Sequence, residues 1–366
     1  MKILHVVRQF YPMIGGMENY VYLLSIHQIA SGDEVTVLTL DRNFMTNEKL
    51  PSSGLHDGIQ IIRIPYLGIN KYPIAFSAIR FVKGYDIVHI HGVDFFVDYL
   101  AFTRFLHRQR IILHTHGGFF HTRWGYWFKK IFFNTVTRVT VNLTDRVIAI
   151  SNNDYKPFAG LTKKIVQIEN GIHYDQYQSP KSVKKGTLLT VGRIDIHKRI
   201  DLLIKVTLTL IDRGHDVTLR IVGPDWKKMQ SDLEKLIPKD KKDKIIFTGP
   251  VDDAQLLQEY VHAEVFLSAS EYEGFGLTAV EAMASGTPVV LNNIDSFRVF
   301  LENKDFGSIA EFKDVEATAT KIENFITLDQ NKYRLVSGQA REYASNYSWK
   351  TIEKRIREVY LNVLNK

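Results

Sequence analysis

The chain has 366 residues, 45% hydrophobic and 24% charged, with no cysteine. That length exceeds what one growing core sustains, so two domains are expected, and the composition is that of a globular chain rather than a disordered one. The missing thiols exclude disulfides, thiolate metal sites and a cysteine nucleophile. The net charge of +7 is uneven: residues 1–178 hold 19 Lys and Arg against 13 Asp and Glu, the remainder 28 against 27. A basic front half predicts an anionic partner, such as a membrane leaflet, a pyrophosphate-bearing acceptor or nucleic acid. No recognisable nucleic-acid module is present, so that partner is set aside. No apolar run reaches ~18 residues and the opening MKILHVVRQF reads as a strand, so a cytoplasmic location is expected.

In chain order, apolar strands read at Ile3–Val7, Glu34–Thr39, Ile59–Ile64, Asp86–Ile90, Arg110–His114, Arg146–Ile150 and Ile165–Ile168. Helical stretches such as Met17–Ala30 and Arg123–Val139 separate them. A second series reads at Thr187–Val191, Val217–Val222, Lys244–Phe247, Glu264–Leu267 and Pro288–Leu291. Short Val- and Ile-rich runs alternating with amphipathic helices predict parallel sheets covered on both faces. The fold class is therefore α/β, with two Rossmann-like domains over 1–178 and 186–347 and a linker within Tyr174–Gly186. A last helix over 348–366 carries Trp349, Ile352, Ile356, Val359, Tyr360 and Val363 at helical spacing, which predicts that it packs back on the first domain.

A dinucleotide oxidoreductase is the obvious rival for doubly wound sheets, yet no Gly-x-Gly-x-x-Gly and no Walker lysine motif occurs. After the first strand stands the pair Gly15-Gly16 at a helix start, where backbone N–H groups can approach an anion or merely cap the helix. In the second half, Phe266-Leu267 closes a strand before Ser270–Gly286. There, Gly274 and Gly276 let the backbone turn, and a helix from about Leu277 points its positive end at the turn. If Glu281 lies two helical turns in while Glu273 stays in the loop, one carboxylate can meet a sugar and the other a ribose; a helix N-terminus with an acidic cap is the alternative. Arg193 and Lys198 follow a strand ending at Gly192 and can converge on a diphosphate; a surface basic loop is the alternative, and Arg199 gets no role. His116 ends a strand before two glycines, at the carboxyl edge where open α/β sheets hold ligands, whereas His114 reads as a wall or core residue. No acidic or third histidine ligand has suitable spacing to this pair and no Asp-x-Asp occurs, so neither a metal nor any cofactor is expected.

Together Gly15-Gly16, His114-Thr115-His116-Gly117-Gly118, Glu169-Asn170-Gly171, Gly192-Arg193 with Lys198, and Glu273 to Glu281 resemble the family-4 retaining glycosyltransferases of the GT-B fold. That fold has two such domains facing a central cleft. The segments HVVRQFYPMIGGMENY, VHIHGVDFFVDYLA and HTHGGFFHT are similar to α-mannosyltransferases that extend a lipid-linked glucose disaccharide in xanthan- and acetan-type exopolysaccharide assembly.

The resemblance implies catalytic roles for His116, Arg193, Lys198 and Glu273, with His116 and Glu273 contacting the donor sugar. It implies donor contacts from Gly15, Gly16, Gly223, Val251, Phe275, Gly276, Leu277, Thr278 and Glu281, and stereochemical retention. The sequence nominates no carboxylate nucleophile, so front-face substitution is favoured, the departing phosphate taking the acceptor's proton. A nucleotide-sugar donor and a lipid-linked saccharide acceptor follow. Aromatic and polar loop residues Tyr11, Phe119, Phe120 and His121 are expected on the acceptor side, with Tyr66 and Tyr72 as further candidates. The basic aromatic helix Arg123–Phe133 is either an ordinary sheet-covering helix or an interfacial one that places the protein peripherally on the inner face of the cytoplasmic membrane. A UDP-sugar-dependent relative acting in lipopolysaccharide or O-antigen synthesis, a sugar-nucleotide epimerase and a non-catalytic binding protein remain as alternatives.

Overall fold

The computed structural model describes residues 1–13, 15–70, 72–116 and 126–366; the side chains of Tyr126, Phe128 and Lys129 lie outside this description. The chain forms two compact units, one from residues 1–170 together with 349–366, the other from 171–348. The chain changes unit at Asn170, not within Tyr174–Gly186. Tyr174 packs on the core of the second unit and donates its hydroxyl to the Arg341 carbonyl at 3.1 Å, which anchors that stretch there.

The first unit holds β1 (Lys2–Val6), β2 (Glu34–Leu40), β3 (Ser53–His56), β4 (Ile59–Ile64), a small hairpin of β5 (Leu67–Ile69) and β6 (Tyr72–Ile74), β7 (Ile87–His91), β8 (Ile111–His114), β9 (Arg146–Ala149) and β10 (Ile165–Gln167). Its main sheet runs β10-β9-β8-β7-β1-β2-β4-β3, parallel except for β3. One face starts with an isoleucine row, Ile3, Ile87, Ile112 and Ile148, beneath the helix Gly16–Ala30 and the C-terminal helix Trp349–Leu364. Because side chains alternate along strands, that row continues at the carboxyl ends as His5, His89, His91 and His114. The strand ends are thus polar where the starts are apolar.

The second unit holds β11 (Thr187–Val191), β12 (Thr218–Val222), β13 (Ile245–Gly249), β14 (Val265–Ser268), β15 (Val289–Asn292) and β16 (Gly307–Ala310), all parallel in the order β13-β12-β11-β14-β15-β16. Strand order reverses between β11 and β14, which opens a crevice at their carboxyl ends. The loops after these two strands carry Gly192-Arg193 and the Ser270–Gly276 turn.

Candidate active site

In the second unit the loop after β11 turns at Gly192, whose φ of +149° and closeness to the Lys198 side chain leave no room for a Cβ without displacement. A side chain at Gly223, after β12, would meet the Gly192 carbonyl at 2.1 Å. Gly223 therefore lets the two loops touch and sets the height of Arg193. Arg193 lies 5.2 Å from the ring of Trp226, an exposed aromatic in the loop after β12. Asp195 caps the short turn Ile196–Lys198. Lys198 Nζ then reaches Glu273 Oε1 at 2.5 Å, in a pair whose side chains are 25% and 17% exposed.

Arg199, expected to be idle, ties these loops together. It holds Asp201 at 2.9 Å and Glu271 at 2.5 Å, while the Glu271 amide donates to the His197 carbonyl at 2.9 Å. Two loops from strands on either side of the switch point thereby become one rigid cradle.

Gly276, at φ +101°, caps the helix Leu277–Ala284, and a Cβ there would meet Phe297 at 2.7 Å. The first amides of that helix, at Leu277 and Thr278, point out of its N-terminus. Phe275 does not join them with its side chain, which is buried against Phe300 and Tyr347 at 5.3 and 5.4 Å. Its ring belongs to the core of the second unit. Val251 is half-buried beyond β13, against the rim of the core. Glu281 accepts from Tyr260 Oη at 2.8 Å, and burial raises its carboxyl above the ordinary range while hydrogen bonds from Tyr260 and Tyr177 oppose the rise.

In the first unit Gly15 caps the helix Gly16–Ala30 with extended backbone, and a Cβ at Gly15 would sit 2.2 Å from Glu18 Oε2. The helix start that the glycine pair opens is thus met by this chain's own carboxylate. Tyr11 is exposed and stacks on His56 at 3.6 Å; it lines a cavity of about 250 Å³ with Phe10, Met13, Glu18, Tyr22 and His56. Tyr66 donates to Asn70 and Tyr72 to Asp98, which makes Tyr72 a support of the wall. Phe119, Phe120 and His121 lie outside the described residues, as does the start of the basic helix before Tyr126.

His116 follows β8 in left-handed backbone, φ +53°, and is half-buried. Its ring stacks on His114 at 4.3 Å and meets Tyr20 edge-on at 4.8 Å, and its Nε2 lies 2.8 Å from His91 Nδ1. Burial pushes its pKa down to about 3, so the imidazole is neutral. The expectation that His114 and His116 find no third histidine is corrected here. Strand pairing of His91 with His114 and of His5 with His89 brings two trios of ring nitrogens to within 4.8 Å of one another. Chain spacing could not show this; the register does. The rings of His114 and His116 are stacked, 18° from parallel.

Residues 174–343 match the family of glycosyl transferases group 1 and residues 14–176 match glycosyltransferase family 4. The chain is 35% identical over 370 residues to the GDP-mannose:cellobiosyl-diphosphopolyprenol alpha-mannosyltransferase of Xanthomonas oryzae pv. oryzae, covering 100% of this chain and 97% of that protein. The protein of the same name from Komagataeibacter xylinus is 32% identical over 371 residues, covering 100% and 94%. Among solved structures, a glycosyltransferase from Rickettsia africae gives a TM-score of 0.76 at 20% identity over 99% of this chain and 98% of that one. The sucrose-phosphate synthase of Thermosynechococcus elongatus gives 0.72 at 20% identity over 100% and 99%. The chain therefore belongs to glycosyltransferase family 4 and is a glycosyltransferase of the GT-B fold.

Proposed function

We propose that the chain is a retaining, metal-independent α-mannosyltransferase that moves mannose from GDP-mannose to a lipid-linked saccharide in exopolysaccharide assembly. The observation that carries the donor and acceptor is the full-length match, at 32–35% identity, to enzymes named for that pair. The cradle of the second unit suits it chemically. Arg193, Lys198 and the amides at the start of the helix Leu277–Ala284 are the cations and N–H donors that would neutralise a diphosphate without a metal. Glu273 then serves the sugar hydroxyls and Glu281 the ribose. In the reaction the bond from the anomeric carbon to the phosphate oxygen breaks, and the acceptor oxygen joins that carbon on the same face. The departing phosphate oxygen takes the acceptor's proton. His116 serves the donor sugar, Gly15-Gly16 the donor, and the groove at Tyr11 the acceptor.

A peripheral site on the inner face of the cytoplasmic membrane suits such an acceptor. Between residues 101 and 150 the chain has eight Lys and Arg against a single Asp. Trp127 and Ile131 are 73% and 63% exposed on the helix Tyr126–Phe132, with Lys130 5.5 Å from the Trp127 ring. Basic residues beside exposed aromatics describe an interfacial helix, and no helix among the described residues is long and apolar enough to cross a membrane.

The test is a panel of GDP- and UDP-sugars scored by melting temperature, because a ligand bound to the native state raises it by mass action. GDP-mannose at 100 times its dissociation constant should stabilise by about 2.7 kcal/mol. A shift with UDP-sugars alone would assign a different donor. In parallel, anionic vesicles should retain the protein at low salt and release it at about 0.5 M salt. Retention unchanged in Trp127→Ala and Lys130→Glu would make the helix merely structural.

A further inference from the structure

The histidine row at the carboxyl ends of β1, β7 and β8 does more than wall the sheet. We infer that Gln28, His5 and His91 are positioning residues that fix which nitrogen of His116 carries its proton, through an unbroken chain of hydrogen bonds from the helix layer. This rests on the reading of His116 as a sugar contact, and it gives a role to three residues that had none.

The chain begins at Tyr360 of the C-terminal helix, whose hydroxyl accepts from Gln28 Nε2 at 3.1 Å. The same hydroxyl lies 2.6 Å from His89 Nδ1. Gln28 Oε1 lies 2.7 Å from His5 Nε2, His5 Nδ1 lies 2.8 Å from His91 Nε2, and His91 Nδ1 lies 2.8 Å from His116 Nε2. Gln28, His5, His89 and His91 are all buried to within 1% of full, so no water competes for the bonds among them, and only the last link, to half-buried His116, reaches the rim. A neutral imidazole carries one hydrogen, on one nitrogen.

The direction of the chain then follows bond by bond. An amide oxygen only accepts, so His5 must donate from Nε2, which leaves His5 Nδ1 bare. That bare nitrogen requires a hydrogen on His91 Nε2, which leaves His91 Nδ1 bare. The same logic puts the hydrogen of His116 on Nε2 and leaves its Nδ1 as an acceptor. A sugar hydroxyl meeting that nitrogen must therefore donate to it. Reversing the Gln28 amide would invert every step, so one side chain about three groups away sets the polarity that the half-buried ring offers to a ligand. A set of neutral bonds can hold this choice without burying a charge, which a carboxylate behind the histidine could not do.

The experiment uses the full chain with ¹⁵N-labelled histidine, the His116 signals being assigned by their loss in His116→Ala. NMR of the wild type should show a hydrogen-bearing Nε2 and a bare Nδ1 on His116. In Gln28→Met, which keeps the volume and removes the amide, the His116 signals should shift toward a mixture of the two forms. The same variant should lose about tenfold in kcat/KM, the worth of one neutral hydrogen bond. In a His116→Ala background Gln28→Met should cost nothing further. A bare Nε2 in the wild type, an unmoved His116 signal in Gln28→Met, or a Gln28→Met penalty that persists without His116 would each overturn the relay. Should Gln28→Met fail to fold, the wild-type spectrum decides alone. Undiminished activity in His116→Ala would instead sink the reading of His116 as a sugar contact, while the spectra would still report on the chain of bonds.

Discussion

The two units place different chemistry at the carboxyl ends of their sheets. In the second, partly exposed opposite charges meet across the strand-order reversal, Lys198 with Glu273 and Arg199 with Glu271, while Asp201 holds Arg199 from its own side. In the first, buried neutral rings are linked by hydrogen bonds, and charge is kept out by desolvation. Under the proposed function the difference matches what each ligand part requires: a leaving diphosphate needs cations that can trade a carboxylate for a phosphate, whereas sugar hydroxyls need donors and acceptors held in fixed orientation.

Acidification should separate the units with the largest effect. Burial lowers His5 from an ordinary 6.5 to about 4 and takes His89, His91 and His114 well below 6.5. The unfolded chain therefore binds protons first as pH falls through 6.5, and the folded first unit loses stability from there toward pH 4. Each such histidine should cost about 1.4 kcal/mol per pH unit in that window. Glu281 has the opposite sign, since its folded pKa is raised and its protonated form is the one burial favours. Hydrogen exchange followed by peptide between pH 7 and 5 should show β1, β7 and β8 losing protection before β11 and β14. Equal loss in both units would break the comparison.

A smaller effect is expected from the charged cradle. Lys198→Ala or Arg193→Ala should lower turnover by about 100-fold, or 2.7 kcal/mol of transition-state stabilisation. The melting temperature of the free protein should barely move, because partly exposed ion pairs contribute little to stability. Steady-state kinetics and a melting scan on the same preparations check both halves, and wild-type rates in both variants would remove these cations from the chemistry.

Much of the fold was legible because long β-branched runs and amphipathic helices announce themselves. The strands that escaped notice have physical reasons to. β3, β5 and β6 are short, with β3 and β5 largely exposed, and β16 begins at Gly307, where a side chain would strike Leu301 and Val289. The expected helix Arg123–Val139 is described only from Tyr126, and after Phe132 it passes through a π turn at Phe133–Thr137 before Arg138–Leu143. Within the site, glycines and charges near strand ends were readable, since a turn or an anion demands those residue types. Trp226 and Glu271 were not, because their roles arise from loops that meet only in three dimensions. The five histidines could be seen singly, yet their assembly depends on the register of β1, β7 and β8.

The central claim is most directly tested by incubating the protein with GDP-mannose and a polyprenyl-diphosphate glucose disaccharide in excess chelator, then determining the product linkage by NMR. The account predicts an α-linked mannose on the disaccharide, formed at a rate within a few-fold of that without chelator. No transfer from GDP-mannose, a β-linked product, or activity that returns only with magnesium or manganese would contradict it.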